Sequence, residues 1–432
     1  MTIFPILLVN FIGTLGYSII LPFLIILVIK FGGNELVYGT IGATYSFFQL
    51  IGAPILGKWS DKFGRKKILL LSQAGTFLAW VLFVVALRLP NTSLAHVDST
   101  IFGVFIVTIP LVVLFIARAL DGITGGNVSV ANAYLADVTS EERRKDNFGK
   151  MAASGNLGFI IGPALAGVLG GSALGELLPV IVAMMISLTA IFVIALVLKE
   201  SNPCVLSEPV EGCKVRKVFG QEHKECYEIA GSEKINFMAV LKLDHIPFIL
   251  FLYFLIFLAF NFFYVAFPVH AVEGLNWSLF ELGIFFSVLG FIMVMVQGPV
   301  LSKISNQFSE SVLMIAGSCL LAVSFFLFTR RNLFLIYLGV LLFSSGNGIM
   351  WPSFLSILSK LAGQKYQGAI QGYASSMGSL ASIIGLITGG IIYGWMGVTT
   401  FWIPGTFMLI IFLLGFRLLP LEKTHVAKNY RI

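Results

Sequence analysis

Long apolar runs follow one another along almost the whole chain, and they restrict the fold more than any other feature of the sequence. A helix crosses the hydrocarbon core of a bilayer in roughly 20 residues. Runs of that length predict about twelve spans, near residues 4–29, 36–56, 68–88, 110–134, 148–171, 178–198, 247–270, 280–301, 312–329, 333–359, 368–394 and 399–420. Because lipid offers no hydrogen bonds to a backbone, each span is expected to be helical. The sequence therefore predicts an all-α integral membrane protein.

Composition excludes most other classes of protein. The mean hydropathy is +0.94, and only 11% of the residues are charged, against about 25% in soluble domains. The chain contains no Gly-x-Ser-x-Gly, His-Glu-x-x-His or Gly-x-x-x-x-Gly-Lys-Ser/Thr motif, so we expect no enzyme activity, no ATPase, no metal and no cofactor. Uphill transport by such a protein would therefore have to draw on an ion gradient.

The basic residues indicate an orientation in the membrane. Most of the 28 Lys and Arg residues fall on one side of the predicted spans. The other side receives only Lys30, Arg88, Arg330 and Arg331, and Arg118 lies inside a span. By the positive-inside rule, the basic side and both termini face the cytoplasm. We expect a multi-pass protein of the cell (inner) membrane that contacts the lipid bilayer and no nucleic acid.

A long polar stretch, residues 200–245, has six predicted spans before it and six after it. We therefore predict an N-terminal six-helix half over residues 1–199, a cytoplasmic central loop over residues 200–245, and a C-terminal six-helix half over residues 246–432.

The central loop carries Cys204, Cys213 and Cys226 close to His223, whereas Cys319 lies in a span. A zinc site and an ordinary flexible loop both fit these residues, although no Cys-x-x-Cys spacing favours the metal.

An insertion separates the third and fourth spans. Residues 89–109 are polar in their first part and apolar in their second. An extended fourth helix and a segment at the membrane interface both fit this pattern.

The two halves share a short internal repeat. Residues 54–63 align without gaps on residues 299–308, with Asn306 in place of an aspartate of the first copy. A weaker similarity relates residues 162–167 to residues 385–390, and chance remains an alternative for that pair. Duplication predicts two pseudo-symmetric halves with a central path between them.

The first copy of the repeat opens a charged hinge at residues 57–67. We expect Gly57 to allow a close approach of the second helix to its neighbour, and Gly64 to allow the tight reversal before the third. Asp61 is placed to cap a helix or to pair with Arg65 one turn away. The hinge is either a positively charged topology anchor or a loop that grips the other half in one conformation.

Four segments together resemble the major facilitator superfamily, and in particular its tetracycline/proton antiporters and twelve-helix drug exporters. They are the hinge at residues 57–67, the Arg-x-x-x-Gly element at 118–122, the segment 133–139 and the glycine/proline element at 158–167. The resemblance implies a twelve-helix fold and secondary active transport of a small molecule by alternating access.

The resemblance also implies a role for some of these residues. Asp61, Arg65 and Asp137 would form a charge relay, and with Gly57 and Gly64 they would act as a conformational latch. In the glycine/proline element, Gly158, Gly162, Pro163 and Gly167 are the candidates for gating. Glycines also permit plain close packing of helices, so both interpretations stay open.

Arg118 and Asp121 are the costliest residues in the predicted spans. A guanidinium at bilayer depth costs roughly 2.5–3.5 kcal/mol, so it is expected to face the interior and to have a partner. Asp121 lies one helical turn away and can provide that partner. The pair is either a static structural element or the centre of substrate binding and proton coupling.

The first helix departs from the tetracycline antiporters, which carry an aspartate there. Residues 11–22 contain no acid, and neither do residues 68–87 of the third span. Tetracycline is therefore a disfavoured substrate. The acids left as candidates for proton coupling are Asp121, Asp137, Glu273 and Glu281.

Polar or aromatic residues near the middle of several spans are candidates for a cavity lining. They are Asn10, Tyr17, Tyr45, Gln49, Asn127, Asn156, Asn261, Tyr264, Gln297, Asn347, Trp351 and Tyr373. Each of them also fits a hydrogen bond or a contact between helices. As a set they predict a neutral, aromatic cavity that favours an amphipathic solute.

Three functions fit the sequence. The leading hypothesis is a monomeric, proton-coupled exporter of small amphipathic or drug-like molecules. The second is a gradient-independent facilitator or uptake carrier for an organic metabolite or lipid. The third is a membrane receptor or scaffold that uses the central loop as its partner site.

Overall fold

The structure is a computed structural model. It describes residues 3–20, 22–125, 127–139, 144–201, 215–218, 221–224 and 245–420. Within these, the backbone alone is described at residues 127–129, 144–146, 215–218, 221–224, 362–369 and 371.

Helices make up nearly all of the described chain. In chain order they are α1 Phe4–Ser18, α2 Leu24–Lys30, α3 Glu35–Phe63, α4 Arg65–Arg88, α5 Ile109–Thr124, α6 Asn127–Val138, α7 Arg144–Gly170, α8 Leu177–Leu196, α9 Ile246–Val269, α10 Leu279–Met295, α11 Leu301–Ile304, α12 Glu310–Leu327, α13 Leu333–Met396 and α14 Trp402–Gly415. π-helical turns follow α9 at His270–Gly274 and α10 at Val296–Val300, and a 3₁₀ turn at Gly397–Phe401 precedes α14. Two small paired sheets are formed by β1 Ser93–Ser99 with β2 Gly103–Thr108, and by β3 Val215–Val218 with β4 Gln221–Lys224.

Side chains cap several of these helices. Ser278 and Glu281 form a reciprocal capping box at the start of α10. The side chain of Asn332 accepts hydrogen bonds from the first backbone amides of α13, and that of Thr108 accepts one from Leu111 at the start of α5. Such contacts satisfy amides that have no partner inside the helix, and they fix where each span begins.

The chain forms two compact units. The first, here called the N-terminal unit, comprises Met1–Gly33, Thr44–Asp98 and Val104–Glu233. The second, called the C-terminal unit, comprises Asn34–Ala43, Ser99–Gly103 and Lys234–Ile432. The first residues of α3 thus belong to the C-terminal unit, while the rest of that helix belongs to the N-terminal unit.

Eight helical stretches of the described chain are long and apolar enough to cross a membrane. The first and fourth predicted spans are not among them, because each is broken into two shorter helices. α1 and α2 separate next to Pro22, which has no amide hydrogen to donate, and α5 ends at Gly125. The second span, α3, is also missing from this set, because it is more polar and carries the first part of the charged hinge. The last two predicted spans lie within the single range Gly372–Pro420.

The predicted tenth and eleventh spans lie on one continuous helix, α13, of 64 residues. If straight, it would be about 96 Å long, three times the thickness of a bilayer core. However, the Tyr253 ring lies 5.5 Å from the ring of Trp351, and a Cβ at Gly378 would lie 3.0 Å from the same tyrosine. A straight helix would separate Trp351 from Gly378 by about 40 Å. The helix is therefore sharply bent between them, as two antiparallel spans require.

The insertion at residues 89–109 is not an extension of the fourth helix, which was one of the two structures expected from the sequence. It forms the strands β1 and β2, with Gly103 at a φ of 73° after the turn. In the C-terminal unit, the backbone oxygen of Phe102 accepts a hydrogen bond from Asn34 Nδ2 at 2.9 Å. The backbone oxygen of Ile101 accepts one from Trp395 Nε1 at 3.0 Å. The tip of this hairpin is thus tied to the beginning of α3 and to the end of α13.

Phenylalanines fill one end of the C-terminal unit. The rings of Phe263, Phe267, Phe285, Phe328 and Phe343 are each almost fully buried. The centroids of Phe267 and Phe285 are 3.9 Å apart, and those of Phe263 and Phe343 are 4.7 Å apart. These side chains form a packed apolar core.

In the N-terminal unit, glycines bring α7 against α1. Ser18 Oγ donates a hydrogen bond to the backbone oxygen of Gly158 at 2.9 Å. A Cβ at Gly158 would lie 2.8 Å from the backbone nitrogen of Leu15, and one at Gly162 would collide with Ser18 Oγ. Pro163 lies inside the same continuous helix. The glycine/proline element therefore forms a close helix–helix contact.

Replacing Gly158 by alanine is expected to destabilise the protein, because the added methyl group meets backbone atoms that cannot move independently. Overpacking of this kind costs about 1–3 kcal/mol. Gly149→Ala on the same helix is the matched control, since a Cβ there meets nothing within 4 Å. Thermal unfolding of both purified variants measures the difference. Equal melting temperatures would contradict the close contact.

Candidate functional site

The centre of the N-terminal unit contains a buried ion pair. Arg118 Nη1 lies 3.1 Å from Asp121 Oδ2 on α5, and the two residues are 4% and 9% exposed. The side chain of Thr76, on α4, also hydrogen-bonds to the Asp121 carboxylate. Burying two charges costs several kcal/mol per ion unless they are paired and hydrogen-bonded. The Asp121 carboxylate is both paired and hydrogen-bonded in this arrangement.

Aromatic rings complete the surroundings of Arg118. Its guanidinium carbon lies 4.4 Å from the ring centroid of Tyr45, a cation–π contact. The Tyr45 ring lies 5.2 Å from that of Tyr17, and Gln49 Nε2 donates hydrogen bonds to the Tyr45 hydroxyl and to the Gly125 backbone oxygen. Residues from α1, α3 and α5 thus meet around one cation.

One atom of this cluster is left without a partner. Arg118 Nε is buried and has no hydrogen-bond partner among the described residues. A buried unpaired donor costs about 1–3 kcal/mol. The cluster therefore presents one available N–H group beside two phenol rings, which is what an aromatic or amphipathic ligand with a hydrogen-bond acceptor requires.

Asn10, another polar candidate of the N-terminal unit, has structural contacts. Asn10 Nδ2 donates hydrogen bonds to Met151 O and to Ser154 Oγ, both at 2.9 Å, so it ties α1 to α7. Asn156 is half-buried on α7. The side chain of Asn127 lies outside the described residues.

In the C-terminal unit, Trp351 belongs to an aromatic cluster. Its ring lies 5.5 Å from Tyr253 and 5.4 Å from Phe257. Tyr253 and Phe257 were not among the sequence candidates, although aromatic residues four positions apart on one span are a signal that finds them. Together the rings can pack against the apolar part of a ligand.

The remaining candidates of this unit are spread along it. Asn261 Nδ2 donates to Ser382 Oγ at 2.9 Å, and Asn347 Nδ2 lies 3.1 Å from Met293 Sδ. The backbone oxygen of Tyr264 accepts a hydrogen bond from the Tyr38 hydroxyl at 3.3 Å. The last two candidates, Gln297 and Tyr373, lie in the π turn after α10 and in the second part of α13.

The predicted latch residues meet at the hinge. Arg65 Nε lies 3.0 Å from Asp137 Oδ2, and Arg65 Nη1 donates to Asp61 Oδ1 and to Ser60 Oγ. Ser201 Oγ also donates to Asp137 at 3.3 Å. One guanidinium thus joins the end of α3, the start of α4 and the end of α6.

Asp61 pairs with Arg65 and does not cap α4. Glu200 performs that role, because its two carboxylate oxygens accept hydrogen bonds from the backbone amides of Arg65 and Lys66 at 2.8 and 3.2 Å. Gly64 has a φ of 99°, and a Cβ there would collide with the same carboxylate. The sequence interpretation missed Glu200, for which an acid directly after the sixth span was the available signal.

The expectation for Gly57 is wrong, because a Cβ at that position would meet nothing within 4 Å. The close approach of α3 occurs five residues earlier. A Cβ at Gly52 would collide with the backbone of Ile123 on α5. Sequence spacing identified a glycine of the correct helix but not the face on which the neighbouring helix packs.

A surface ion pair joins Lys30 to Glu176, with Nζ 3.0 Å from Oε2. Burial raises the pKa of Glu176, but the hydrogen bond from Lys30 and its charge outweigh this and lower the pKa below its ordinary value. The pair therefore stabilises the fold above the unfolded pKa, roughly 4.3, and this stabilisation is lost as the pH falls through the lower folded pKa.

Glu176→Gln is expected to lower the free energy of unfolding slightly at neutral pH. The side chains of the pair are 49% and 25% exposed, so water screens the pair and the loss is about 0.2–1 kcal/mol. The difference should vanish at a strongly acidic pH, below the lowered folded pKa, where the carboxyl is protonated in both states. Denaturant unfolding at both pH values measures it, with Asp98→Asn as an exposed control. A difference that persists at low pH would contradict the assignment.

The other predicted acids have different surroundings. Glu281 accepts a hydrogen bond from the backbone amide of Ser278 at 2.7 Å and so serves as a cap. Glu273 is exposed in the π turn after α9. Among the described residues no group of His, Cys, Asp and Glu is arranged to hold a metal ion. Cys204, Cys213, Cys226 and His223 lie outside the residues whose side chains are described.

A helical protein with several apolar spans, a buried ion pair in one unit and a charged hinge between two spans is a polytopic membrane protein by class. The sequence profile of the Major Facilitator Superfamily matches residues 6–386 and 249–430. The chain belongs to this family. It is a multi-pass membrane transporter of small molecules and not an enzyme, with the fold of about twelve helices in two six-helix halves that the sequence predicted.

Relatives of known function are similar over nearly the whole chain. The class E tetracycline resistance protein of Escherichia coli is 28% identical and covers 99% of each chain. Multidrug resistance protein 2 of Bacillus subtilis (strain 168) is 27% identical over 91% of this chain and 89% of its own.

Solved structures agree on the fold. The human organic anion transporter MFSD10 (TETRAN) is 21% identical, with a TM-score of 0.66 over 96% of this chain and 98% of its own. A D-xylose–proton symporter is 17% identical, with a TM-score of 0.73 over 96% of this chain and 97% of its own.

Proposed function

We propose that the protein is a secondary active exporter that uses a proton gradient to move small amphipathic molecules by alternating access. The observation that carries this proposal is the buried pair of Arg118 and Asp121, with one guanidinium N–H beside Tyr17 and Tyr45 that has no partner among the described residues. The relatives named for tetracycline and multidrug resistance support the same function.

The cluster suits an amphipathic solute. The rings of Tyr17 and Tyr45 pack against the apolar body of a ligand, and Arg118 Nε donates to an acceptor on it. Specific polar groups in a mostly apolar site give orientation, while the apolar surface gives most of the affinity. Within the C-terminal unit, Trp351, Tyr253 and Phe257 form an aromatic cluster of their own.

Protonation of Asp121 couples the binding of the proton to the binding of the solute. A proton on this carboxyl removes its charge, weakens its hold on Arg118 and changes what the guanidinium offers to a substrate. If a proton at Asp121 alters the affinity for substrate, substrate alters the affinity for the proton by the same factor. This reciprocal linkage is what exchange of protons for solute requires.

The hinge supplies the conformational latch in this proposal. Arg65 holds Asp61 and Asp137 in the present conformation, and breaking these contacts accompanies the transition to the other state. The hinge and both termini face the cytoplasm, and the protein works as a monomer in the cell membrane.

Transport into proteoliposomes under an imposed pH gradient tests the proposal. The probes are ethidium as a cationic amphipath and fluorescein as an anionic one. Accumulation of at least one dye is expected to depend on the gradient and to stop when a protonophore collapses it. Vesicles with Asp98→Asn, an exposed acid of β1, serve as the control and should behave as wild type. Uptake that is indifferent to the protonophore would overturn proton coupling.

A gradient-independent facilitator or uptake carrier is the second candidate. Its favouring observation is the absence of any acid in residues 11–22, where Tyr17 faces Tyr45 instead. For such a carrier, exchange of labelled for unlabelled solute would proceed equally at all pH values and without a gradient.

A further inference from the structure

A second ion-pair network lies in the C-terminal unit, and the function proposed above does not use it. Glu310 is the first residue of α12. Its Oε2 lies 2.8 Å from Lys360 Nζ, and its Oε1 accepts a hydrogen bond from Ser356 Oγ at 2.6 Å. Ser356 and Lys360 lie one turn apart on α13. Both oxygens of one carboxylate therefore tie the start of α12 to α13.

The internal repeat relates Glu310 to the central residue of the hinge. The first repeat, continued without a gap, pairs Arg65 with Glu310. The structure agrees with this register, because Gly64 and Ser309 are the N-cap residues of α4 and α12. Arg65 and Glu310 thus each begin the helix that follows the repeat. Equivalent positions of the two halves carry opposite charges.

The weaker repeat relates the partners of these two residues. It aligns residues 162–167 with residues 385–390, and the same offset pairs Asp137 with Lys360. In the N-terminal unit, Asp137 Oδ2 lies 3.0 Å from Arg65 Nε. Two separate repeats therefore carry the ion pair of the hinge onto the ion pair of the C-terminal unit, with both charges exchanged.

The loss of an aspartate from the second copy of the repeat fits this exchange. In the first copy, Asp61 pairs with Arg65 four residues later. At the equivalent position, 306, an aspartate would place a second negative charge near that of Glu310, and like charges repel. The side chain of Asn306 is neutral and avoids this repulsion. Three differences between the copies are thus explained by one reversal of charge.

The exchange also changes how each helix start is stabilised. The N-terminus of a helix carries a partial positive charge, so it favours an acid and disfavours a cation. α4 begins with a cation and takes its capping carboxylate from Glu200. α12 begins with Glu310, and its N-cap Ser309 makes no side-chain hydrogen bond. The carboxylate of Glu310 therefore stabilises the start of α12 and forms the ion pair at the same time.

We propose that Glu310, Ser356 and Lys360 form a second conformational latch, the counterpart in the C-terminal unit of the one at the hinge. It holds the start of α12 to α13 in the present conformation and opens during transport. This role rests on the alternating access proposed above. The side chains of Lys360 and Glu310 are 59% and 25% exposed. Those of Arg65 and Asp137 are 11% and 17% exposed. Because water screens exposed pairs, the second latch is the weaker of the two.

Amide hydrogen exchange of the full-length protein in lipid nanodiscs tests the contact. Lys360→Gln removes the cation, so the first turns of α12 should open more often and their amides should exchange roughly two to five times faster. Lys303→Gln is the matched control, because Lys303 is exposed and is the repeat equivalent of Lys58. Equal exchange in wild type and Lys360→Gln, or the same increase in Lys303→Gln, would overturn the second latch.

A double-mutant cycle tests the pairing itself. Glu310→Gln is expected to speed exchange at the start of α12 as well. If the two side chains hold one another, adding Lys360→Gln to this variant should have little further effect, because the attraction is already lost. The same fold-increase from Lys360→Gln in both backgrounds would show that Lys360 acts without Glu310, and would overturn the pair as the basis of the latch.

Dye transport separates the role of the second latch from the proposed function. In proteoliposomes with ethidium or fluorescein, Lys360→Gln should slow the initial rate roughly two- to fivefold, less than Arg65→Gln does, while Lys303→Gln should leave it unchanged. If exchange at α12 responds but Lys360→Gln transports as wild type does, the contact is static and the latch role is wrong. If wild-type transport is indifferent to the pH gradient while Lys360→Gln still slows it, proton coupling is wrong and the second latch stands.

Discussion

Asp121→Asn is expected to abolish gradient-driven export and to destabilise the protein. The substitution leaves Arg118, which is 4% exposed, without its partner carboxylate. Breaking a buried ion pair by removing one member costs about 3–5 kcal/mol, most of it the cost of the unpaired charge. Ethidium transport in proteoliposomes and thermal unfolding of the purified protein measure the two effects.

A double variant separates the two roles of this pair. Arg118→Gln combined with Asp121→Asn removes both charges, so most of the lost stability should return, because no uncompensated charge stays buried. Transport should not return, since neither the titrating carboxyl nor the guanidinium remains. A double variant that is both stable and fully active would show that the pair is a static structural element.

The exposed pair of Lys30 and Glu176 provides the matched control. Its side chains are 49% and 25% exposed, so Lys30→Gln with Glu176→Gln should cost about 0.2–1 kcal/mol at most. Transport should be unaffected. The contrast between the buried and the exposed pair tests whether burial, and not ion pairing in general, makes stability and transport sensitive to substitution of Asp121.

Arg65→Gln is expected to slow transport by the largest factor of any hinge substitution. The guanidinium contacts Asp61, Asp137 and Ser60 at once, so its loss disconnects α3, α4 and α6. Allosteric couplings of about 1–3 kcal/mol correspond to changes of roughly 5–150-fold, and we expect the transport rate to fall within that range. Initial rates of dye transport measure it.

Two further hinge variants test whether the effect of Arg65→Gln comes from the contacts of its guanidinium. Arg65→Lys keeps the charge but cannot contact both carboxylates through a planar group, so it should restore only part of the rate. Lys58→Gln removes a cation from the same hinge without touching this network and should be nearly silent. If Lys58→Gln were as damaging as Arg65→Gln, total positive charge, and not the latch, would explain the effect.

Local signals in the sequence were sufficient to predict particular pairs. Arg118 and Asp121 are three residues apart on one helix, and Asp61 and Arg65 are four apart, so helical geometry alone brings each pair together. The spans were predictable for a similar reason, because a bilayer demands a run of apolar residues of fixed length.

Contacts between distant segments were not predictable in the same way. Glu200 caps α4 from 135 residues away along the chain. The strands within residues 89–109 were not predicted, because a polar first part followed by an apolar second part has no periodicity that specifies strands. Gly57 was misjudged because a glycine marks a possible close approach without indicating the neighbour.

The sequence by itself determined that this protein is a helical membrane transporter of the major facilitator superfamily, and it determined which charges lie in the hinge and within the spans. The bilayer requires an apolar composition of each span separately, so the sequence of each span is sufficient to show it. Only the tertiary structure decided that Glu200 caps α4 and which aromatic rings surround Arg118. Those outcomes depend on close approaches between helices far apart in the chain, and no local pattern specifies them.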